Sequence, residues 1–402
     1  MIRPKITIAV PFAVFPPSGK ESRRIFNLYR HLASQFTIEI VSLAEAGIPY
    51  FHGTIAPGLI EIRIPKSLEH QKAESEMVQA FATNVADATL MELYQLTPRY
   101  LSELKKSTKT ADYVLCYQPY LLPAIQAVSN KPLWYEPTGI ETELKKKLLP
   151  ENEAGTEFWE AISQLELECC TKSDLILTAS KSLKQELNAK LAVKEEKVIA
   201  IPTGINSQRI SFTSYEQRLA NKAKLGLADS FTAIYTGTGN PHNVDEARAI
   251  LNIASKLKDI NFLLLGNIGI FFEPRLTPPN VRFIPSMDEK TKTIIINSTD
   301  VALNPATKVT DTQLTMLEYF CQGIPVISTP KGIKELGLSY GKHCFVGEVW
   351  RFPELLTTCY QEDFMKKSHR LENVQKYVRK EFEWSKIVEQ FTKQIRPRSL
   401  AA

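Results

Sequence analysis

Glu318 stands in the stretch LTMLEYFCQGIPVI, where Leu314, Met316, Leu317 and Phe320 surround a single carboxylate with apolar neighbours. A carboxylate in that setting needs a donor, and a sugar hydroxyl is chemically suited to the task; the alternative is a solvated helix glutamate. Upstream, Thr310 with Gln313 three residues later forms a capping-box pattern, and Gly323 with Pro325 forms a stop, so the spacing predicts a helix over Asp311 to Gln322. The unpaired first-turn N–H groups of such a helix, at Thr312, Gln313 and Leu314, favour an anion such as a diphosphate when they open at the carboxyl edge of a parallel sheet. Lys308, three residues upstream of Asp311, is read either as a cation facing that helix start or as an exposed loop lysine.

Other residue patterns narrow the chemistry. Gly237, Thr238 and Gly239 resemble a truncated dinucleotide fingerprint, but His242 holds the place of its third glycine, which argues against a dehydrogenase. Gly19 in PPSGKESR would let backbone approach a substrate, with a simple strand-to-helix turn as the alternative. No D-x-D occurs, and His31, His52, His70, His242, His343 and His369 show no metal-ligand spacing, so no metal is expected and no cofactor beyond the substrate. The six cysteines contain no C-x-x-C pair and read as buried thiols of a reducing compartment.

The elements that must position these groups follow from the pattern of apolar runs. At 402 residues, 44% hydrophobic and 23% charged, the chain is too long for one core and too apolar for disorder, which predicts two globular domains. A strand at Ile6 to Val10, a Pro/Gly loop, a helix carrying Ile25, Leu28, Tyr29 and Leu32, and the run FTIEIVSL make a βαβ unit. DYVLCYQ, PLWYE, DLILTAS and KVIAIPTG, then FTAIYTG, NFLLLGN, VRFIPSM, DVALNPA and IPVISTP, continue the alternation as short buried strands. The polar segment Asn206 to Ser230 reads as the join between the halves. No run of about 18 apolar residues exists to span a membrane, and the net charge of +5 is spread along the chain, which excludes the basic stripe of a nucleic-acid binder. Pro11 breaks the N-terminal apolar stretch, which is read as the first strand and not as a signal peptide.

LTMLEYFCQGIPVISTPKG resembles the donor-binding segment of the GT-B glycosyltransferases of family 4. SDLILTASKSLKQEL with KVIAIPTGIN, IYTGTGNPHNVDEARAI, WYEPTGIETELKKKLL and VRKEFEWSKIVEQF are similar to further segments of that family, in the same order. The resemblance implies an α/β GT-B fold: two facing Rossmann-like domains with parallel sheets and a C-terminal helix crossing back. It places an acceptor-side domain at residues 1–205, a donor domain at 206–375 and the returning helix at 376–402. It implies that Glu318 bonds the ribose of a nucleotide sugar, with the backbone of Thr312, Gln313 and Leu314 and of Thr238, Gly239 and Asn240 around the diphosphate. Gly266 and Met287 would line the base pocket, Gly19, Lys20 and Arg23 the acceptor side, and Lys308, Thr138 and Glu141 the reacting centre.

The implied reaction moves a sugar, with retention and without a metal, from a nucleotide diphosphate sugar to a saccharide or lipid-linked acceptor in surface polysaccharide or glycan synthesis. The partners are those two substrates and no nucleic acid. Lys145, Lys146 and Lys147 read as a solvated helix face, with docking on an anionic membrane surface as the alternative. The expected location is the cytoplasm, including the inner face of the membrane. Departures from the family pattern keep a second reading open, a GT-B protein acting as a binding or scaffold subunit without catalysis. Thr138 stands in place of histidine, Thr310 in place of a glutamate and Thr315 in place of lysine, and Asp311 sits where a diphosphate should be received.

Overall fold

The computed structural model describes residues 3–228, 230–307 and 313–399. The chain divides into two compact units, one formed by Met1–Gly204 with Ile387–Ala402 and the other by Ile205–Lys386. Both are Rossmann-like α/β units with mostly parallel sheets.

The first unit contains strands β1 (Lys5–Val10), β2 (Thr37–Ala44), β3 (Phe51–Ala56), β4 (Leu59–Pro65), β5 (Tyr113–Tyr117), β6 (Leu133–Glu136), β7 (Leu175–Thr178) and β8 (Val198–Ala200). Its helices are α1 (Lys20–Leu32), α2 (Leu68–Phe81), α3 (Leu90–Leu93), α4 (Pro98–Lys109), α5 (Leu122–Gln126), α6 (Glu141–Lys146), α7 (Glu153–Lys172) and α8 (Lys181–Leu191). The sheet order is β3-β4-β2-β1-β5-β6-β7-β8. The central strand β1 reads ITIAV because both of its faces are covered, and Ile8 pairs with Ile40 on one side and Leu115 on the other. One edge departs from the expected parallel arrangement. The β3–β4 hairpin is antiparallel, turned at Pro57-Gly58 with Gly58 at φ +76°, a Pro-Gly turn that the alternation of FHGTIA could have revealed.

The second unit holds β9 (Phe231–Thr236), β10 (Ile260–Leu265), β11 (Val281–Ile284), β12 (Val301–Asn304), β13 (Val326–Ser328) and the short β14 (Phe345–Val346). Its helices are α9 (Tyr215–Lys224), α10 (Pro241–Ala254), α11 (Glu289–Ile296), α12 (Gln313–Cys321), α13 (Pro330–Ile333), α14 (Phe352–Gln361) and α15 (Phe364–Glu381). The strand order is β11-β10-β9-β12-β13-β14, every pairing parallel. A last helix, α16 (Trp384–Ser399), begins in this unit and joins the first from Ile387 onward. Two apolar layers cover the sheet, one built on Met316, Leu317 and Phe320 of α12, the other on Val244, Ala247 and Ile250 of α10.

The segment read as a join, Asn206 to Ser230, belongs to the second unit. Arg218 is 1% exposed and donates to the carbonyls of Thr299 at 2.8 Å and Gly323 at 2.7 Å. Lys222, equally buried, pairs with Asp300 at 2.6 Å, and the Asp300 carboxylate also accepts from the Thr232 N–H. A polar sequence is buried here because each cation meets a carbonyl or carboxylate, which removes the cost of leaving it unpaired. Among the described residues no helix is long and apolar enough to cross a membrane.

Candidate functional site

The second sheet reverses direction at β9. From there the chain builds outward through β10 and β11, then returns to lay β12 on the other side. In open parallel sheets the carboxyl ends of the strands flanking such a reversal open the ligand crevice. β9 ends at Thr236 and runs into Gly237–Asn240, and β12 ends at Asn304, ahead of α12. The expected donor residues Thr238, Gly239, Asn240, Gly266, Met287, Leu314 and Glu318 all lie on segments at this edge of one sheet.

Close backbone packing shapes the edge. Gly266, after β10, has φ +112°, and a Cβ there would lie 2.2 Å from the Gly237 carbonyl oxygen, so only glycine fits. Gly239 lies against the Phe271 ring, which a Cβ would meet at 2.6 Å. Asn240 caps α10 by accepting from the Asn243 N–H at 2.9 Å. The Thr238 N–H, expected at a diphosphate, donates to Asn243 Oδ1 at 2.9 Å, and the Thr238 hydroxyl reaches the same oxygen at 3.0 Å. Beneath the loop, Glu246 accepts from Tyr235 at 2.7 Å and from Asn243 at 3.1 Å, and burial holds its carboxyl above the usual range.

Glu318 is on the second turn of α12, half-buried. Its donor is the Lys292 ammonium of α11, 3.3 Å from Oε2, where the sequence suggested a sugar hydroxyl. Sequence reasoning missed Lys292, since DEKTKTIII looks like an ordinary amphipathic helix and its partner is 26 positions away. The neighbouring Tyr319 is buried and donates to Thr236 Oγ1 at the end of β9. On the other face of α12, the Met316 sulfur lies 2.7 Å from Asn304 Nδ2, and Asn304 also donates to Ser328 at 2.9 Å, which ties the helix to β12 and β13. Met287 is half-buried against the layer that contains Met316 and Phe320. Lys308, Thr310, Asp311 and Thr312 lie outside the described residues; α12 starts at Gln313, and Leu314 is half-buried.

In the first unit the reversal falls between β1 and β5. The loop after β1 is clamped by the buried Glu61 carboxylate, which accepts from the Val14 N–H at 2.9 Å, the Phe15 N–H at 3.0 Å and Ser42 at 2.8 Å. Arg63 completes the clamp through an ion pair to Glu61 at 2.9 Å and a hydrogen bond to the Phe15 carbonyl. Gly19 then precedes α1 at φ −95°, and a Cβ there would make only an ordinary 3.7 Å contact with Ser22. The unit itself therefore does not require glycine at this position. Lys20 is exposed and Arg23 half-buried on the first turn of α1. The neighbouring Arg24 is buried, donates to Glu136 at 2.9 Å, and carries a buried Nη2 with no hydrogen-bond partner.

Glu141 and Thr138, expected at a reacting centre, do come together: the Thr138 hydroxyl donates to Glu141 Oε1 at 2.9 Å. Glu141 is 2% exposed, however, and its other oxygen accepts from Tyr120 at 2.7 Å. Each Glu141 oxygen thus accepts one hydrogen bond, and Thr138, which is exposed, is held by one of them. Glu166 accepts from the Glu141 and Thr142 N–H groups at 2.7 and 2.9 Å, closing the start of α6 to any outside anion. Of the lysines read as a solvated face, Lys145 is instead buried against Asp87 at 2.6 Å, and Lys146 lies over the Trp159 ring. Among the described residues no cluster of His, Cys, Asp or Glu is arranged to hold a metal ion. All six cysteines are buried and free.

Glycosyltransferases are among the solved structures that share this architecture. The chain is similar to a sucrose-phosphate synthase from Thermosynechococcus elongatus, with 14% identity, 100% of each chain covered and a TM-score of 0.70. It is similar to HepE of Anabaena in complex with UDP and glucose, with 13% identity, 98% of this chain and 99% of that one covered, and a TM-score of 0.68. It is also similar to the catalytic domain of starch synthase IV from Arabidopsis thaliana bound to ADP and acarbose, with 13% identity, 100% of each chain covered and a TM-score of 0.68. The fold is GT-B. At these identities the fold is what is shared. No family model matches the sequence, and no curated protein matches it.

Proposed function

We propose that this GT-B chain is a glycosyltransferase of the family 4 type, which moves a sugar with retention, and without a metal, from a nucleotide diphosphate sugar to a saccharide or lipid-linked acceptor. The setting is surface polysaccharide or glycan synthesis in the cytoplasm or at the inner face of the membrane. Residues 206–375 are the donor part, 1–205 the acceptor part and 376–402 the returning helix. The observation that carries this reading is the meeting of Gly237–Asn240, Gly266 and the Glu318 helix at the reversal point of one parallel sheet. The complexes of similar fold that contain UDP with glucose, or ADP with acarbose, support it. Glu318 would take the ribose, and Lys308 with the first-turn N–H groups of Thr312, Gln313 and Leu314 would face the diphosphate.

A thermal-shift and calorimetric screen of wild type and Glu318→Ala against UDP, GDP, ADP and their sugar conjugates tests the reading. A ligand at about 100 times its Kd stabilises a fold by about 2.7 kcal/mol. Stabilisation by one nucleotide, lost in Glu318→Ala, is the expected result; a folded protein that binds none of them would refute the donor site. The second reading, a binding or scaffold subunit without catalysis, is favoured by the Thr238 N–H bonded to Asn243 and by Glu141, each of whose oxygens accepts a hydrogen bond. Nucleotide binding without turnover or donor hydrolysis would select it.

A further inference from the structure

We infer that Lys292 is a positioning residue for nucleotide binding, acting on the ribose through Glu318; the inference rests on the donor-site reading above. Lys292 lies one turn into α11, and that helix starts directly after Met287, with Asp288 as its cap. It therefore stands beside the loop that follows β11, at the same sheet edge as the Gly237–Asn240 loop. Glu318 comes from a different helix, beyond β12, so the contact joins the two segments of the site that the sequence keeps apart.

The geometry of the pair favours orientation over simple charge balance. The ammonium and the carboxylate are 19% and 18% exposed and 3.3 Å apart, whereas Glu289, 3.6 Å from the same ammonium, is 65% exposed. Glu318 is thus the covered, weakly screened partner of the three. Lys292 holds Oε2, and Oε1 accepts no hydrogen bond from any described residue. A carboxylate fixed through one oxygen presents the lone pairs of the other in a set direction. A vicinal diol recognises that arrangement by donating two hydroxyls to it, and the ammonium does not need to leave, since each oxygen keeps a second lone pair. Without Lys292 the Glu318 side chain would have to be ordered at the moment of binding.

The test uses calorimetry with UDP, GDP and ADP and the 2′,3′-dideoxy counterpart of each, on wild type, Lys292→Met, Lys292→Gln and Lys292→Arg. For the nucleotide that wild type binds, Lys292→Met and Lys292→Gln should weaken the ribonucleotide about tenfold, the loss expected when an ionic hydrogen bond loses its orientation. The dideoxynucleotide, which lacks the hydroxyls, should bind all variants equally, and Lys292→Arg should restore most of the ribonucleotide affinity. Equal weakening of both ligands would mean that Lys292 only supports the local fold, and unchanged ribonucleotide binding would mean that it does nothing for Glu318; either overturns the inference while leaving the donor site intact. A wild type that binds no nucleotide overturns both.

Discussion

The Tyr319 hydroxyl of α12 lies 2.7 Å from Thr236 Oγ1, the last residue of β9. One hydrogen bond thus fixes the helix that carries Glu318 to the strand that opens into Gly237–Asn240. Tyr319→Phe removes it without leaving a cavity and should cost about 1 kcal/mol of stability. In urea unfolding the midpoint should fall with the slope unchanged, and calorimetry should show nucleotide binding weakened a few-fold.

Gly266 and Gly19 make opposite predictions. Gly266→Ala must place a methyl group 2.2 Å from a backbone oxygen at φ +112°. The loop has to move, at a cost of about 2–4 kcal/mol, visible as a lower Tm and as lost nucleotide binding. Gly19→Ala meets only a 3.7 Å contact at an ordinary φ. Its Tm should stay within about 0.5 kcal/mol equivalent of wild type. A drop in turnover at unchanged stability would then locate substrate against that backbone.

Removing the Glu61 carboxylate strands Arg63 and frees the Val14 and Phe15 N–H groups. Glu61→Ala should destabilise the first unit by about 3–5 kcal/mol. Limited chymotrypsin digestion should then cut after Phe12 faster than in wild type. Equal digestion of the two proteins would show that the clamp does not hold this loop.

His70 provides a pH signature. It is fully buried, with Nδ1 3.0 Å from Thr97 Oγ1, and burial, helped by the Lys66 ammonium, lowers its pKa to about 4. The unfolded chain takes up a proton near the ordinary value of about 6.5, while the folded one resists until about 4. The unfolded state therefore binds more protons in that window, and stability falls as pH drops from about 6.5 towards 4. Chemical unfolding at a series of pH values should show this slope in wild type and a flatter one in His70→Gln.

Much of the architecture was legible because buried parallel strands write themselves as short apolar runs: DYVLCYQ, FTAIYTG and DVALNPA each became a central strand. The polar elements were not. Tyr215 to Lys224 looked like a surface helix in a join because Arg218 meets the Thr299 and Gly323 carbonyls, and Lys222 the Asp300 carboxylate, about 80 or more positions away in the chain. The same limit applies to the site. Glu318 announced itself by being a lone carboxylate among apolar neighbours, whereas Lys292 is one lysine among many until the fold brings it within 3.3 Å. Nothing in WYEPTGIE shows that Tyr120 will bond the second oxygen of Glu141, because Tyr120 lies on a separate element.

The first unit is discontinuous in sequence: its strands end by Gly204, yet Ile387, Val388, Phe391 and Ile395 of α16, nearly fully buried, are grouped with it across the whole second unit. On the ribosome those side chains emerge only after the entire second unit has been made. At about 5–20 residues per second, the first sheet waits roughly ten to forty seconds for the helix that completes it, with apolar surface open meanwhile. The half of the molecule whose synthesis begins first is therefore completed only after the other has been made.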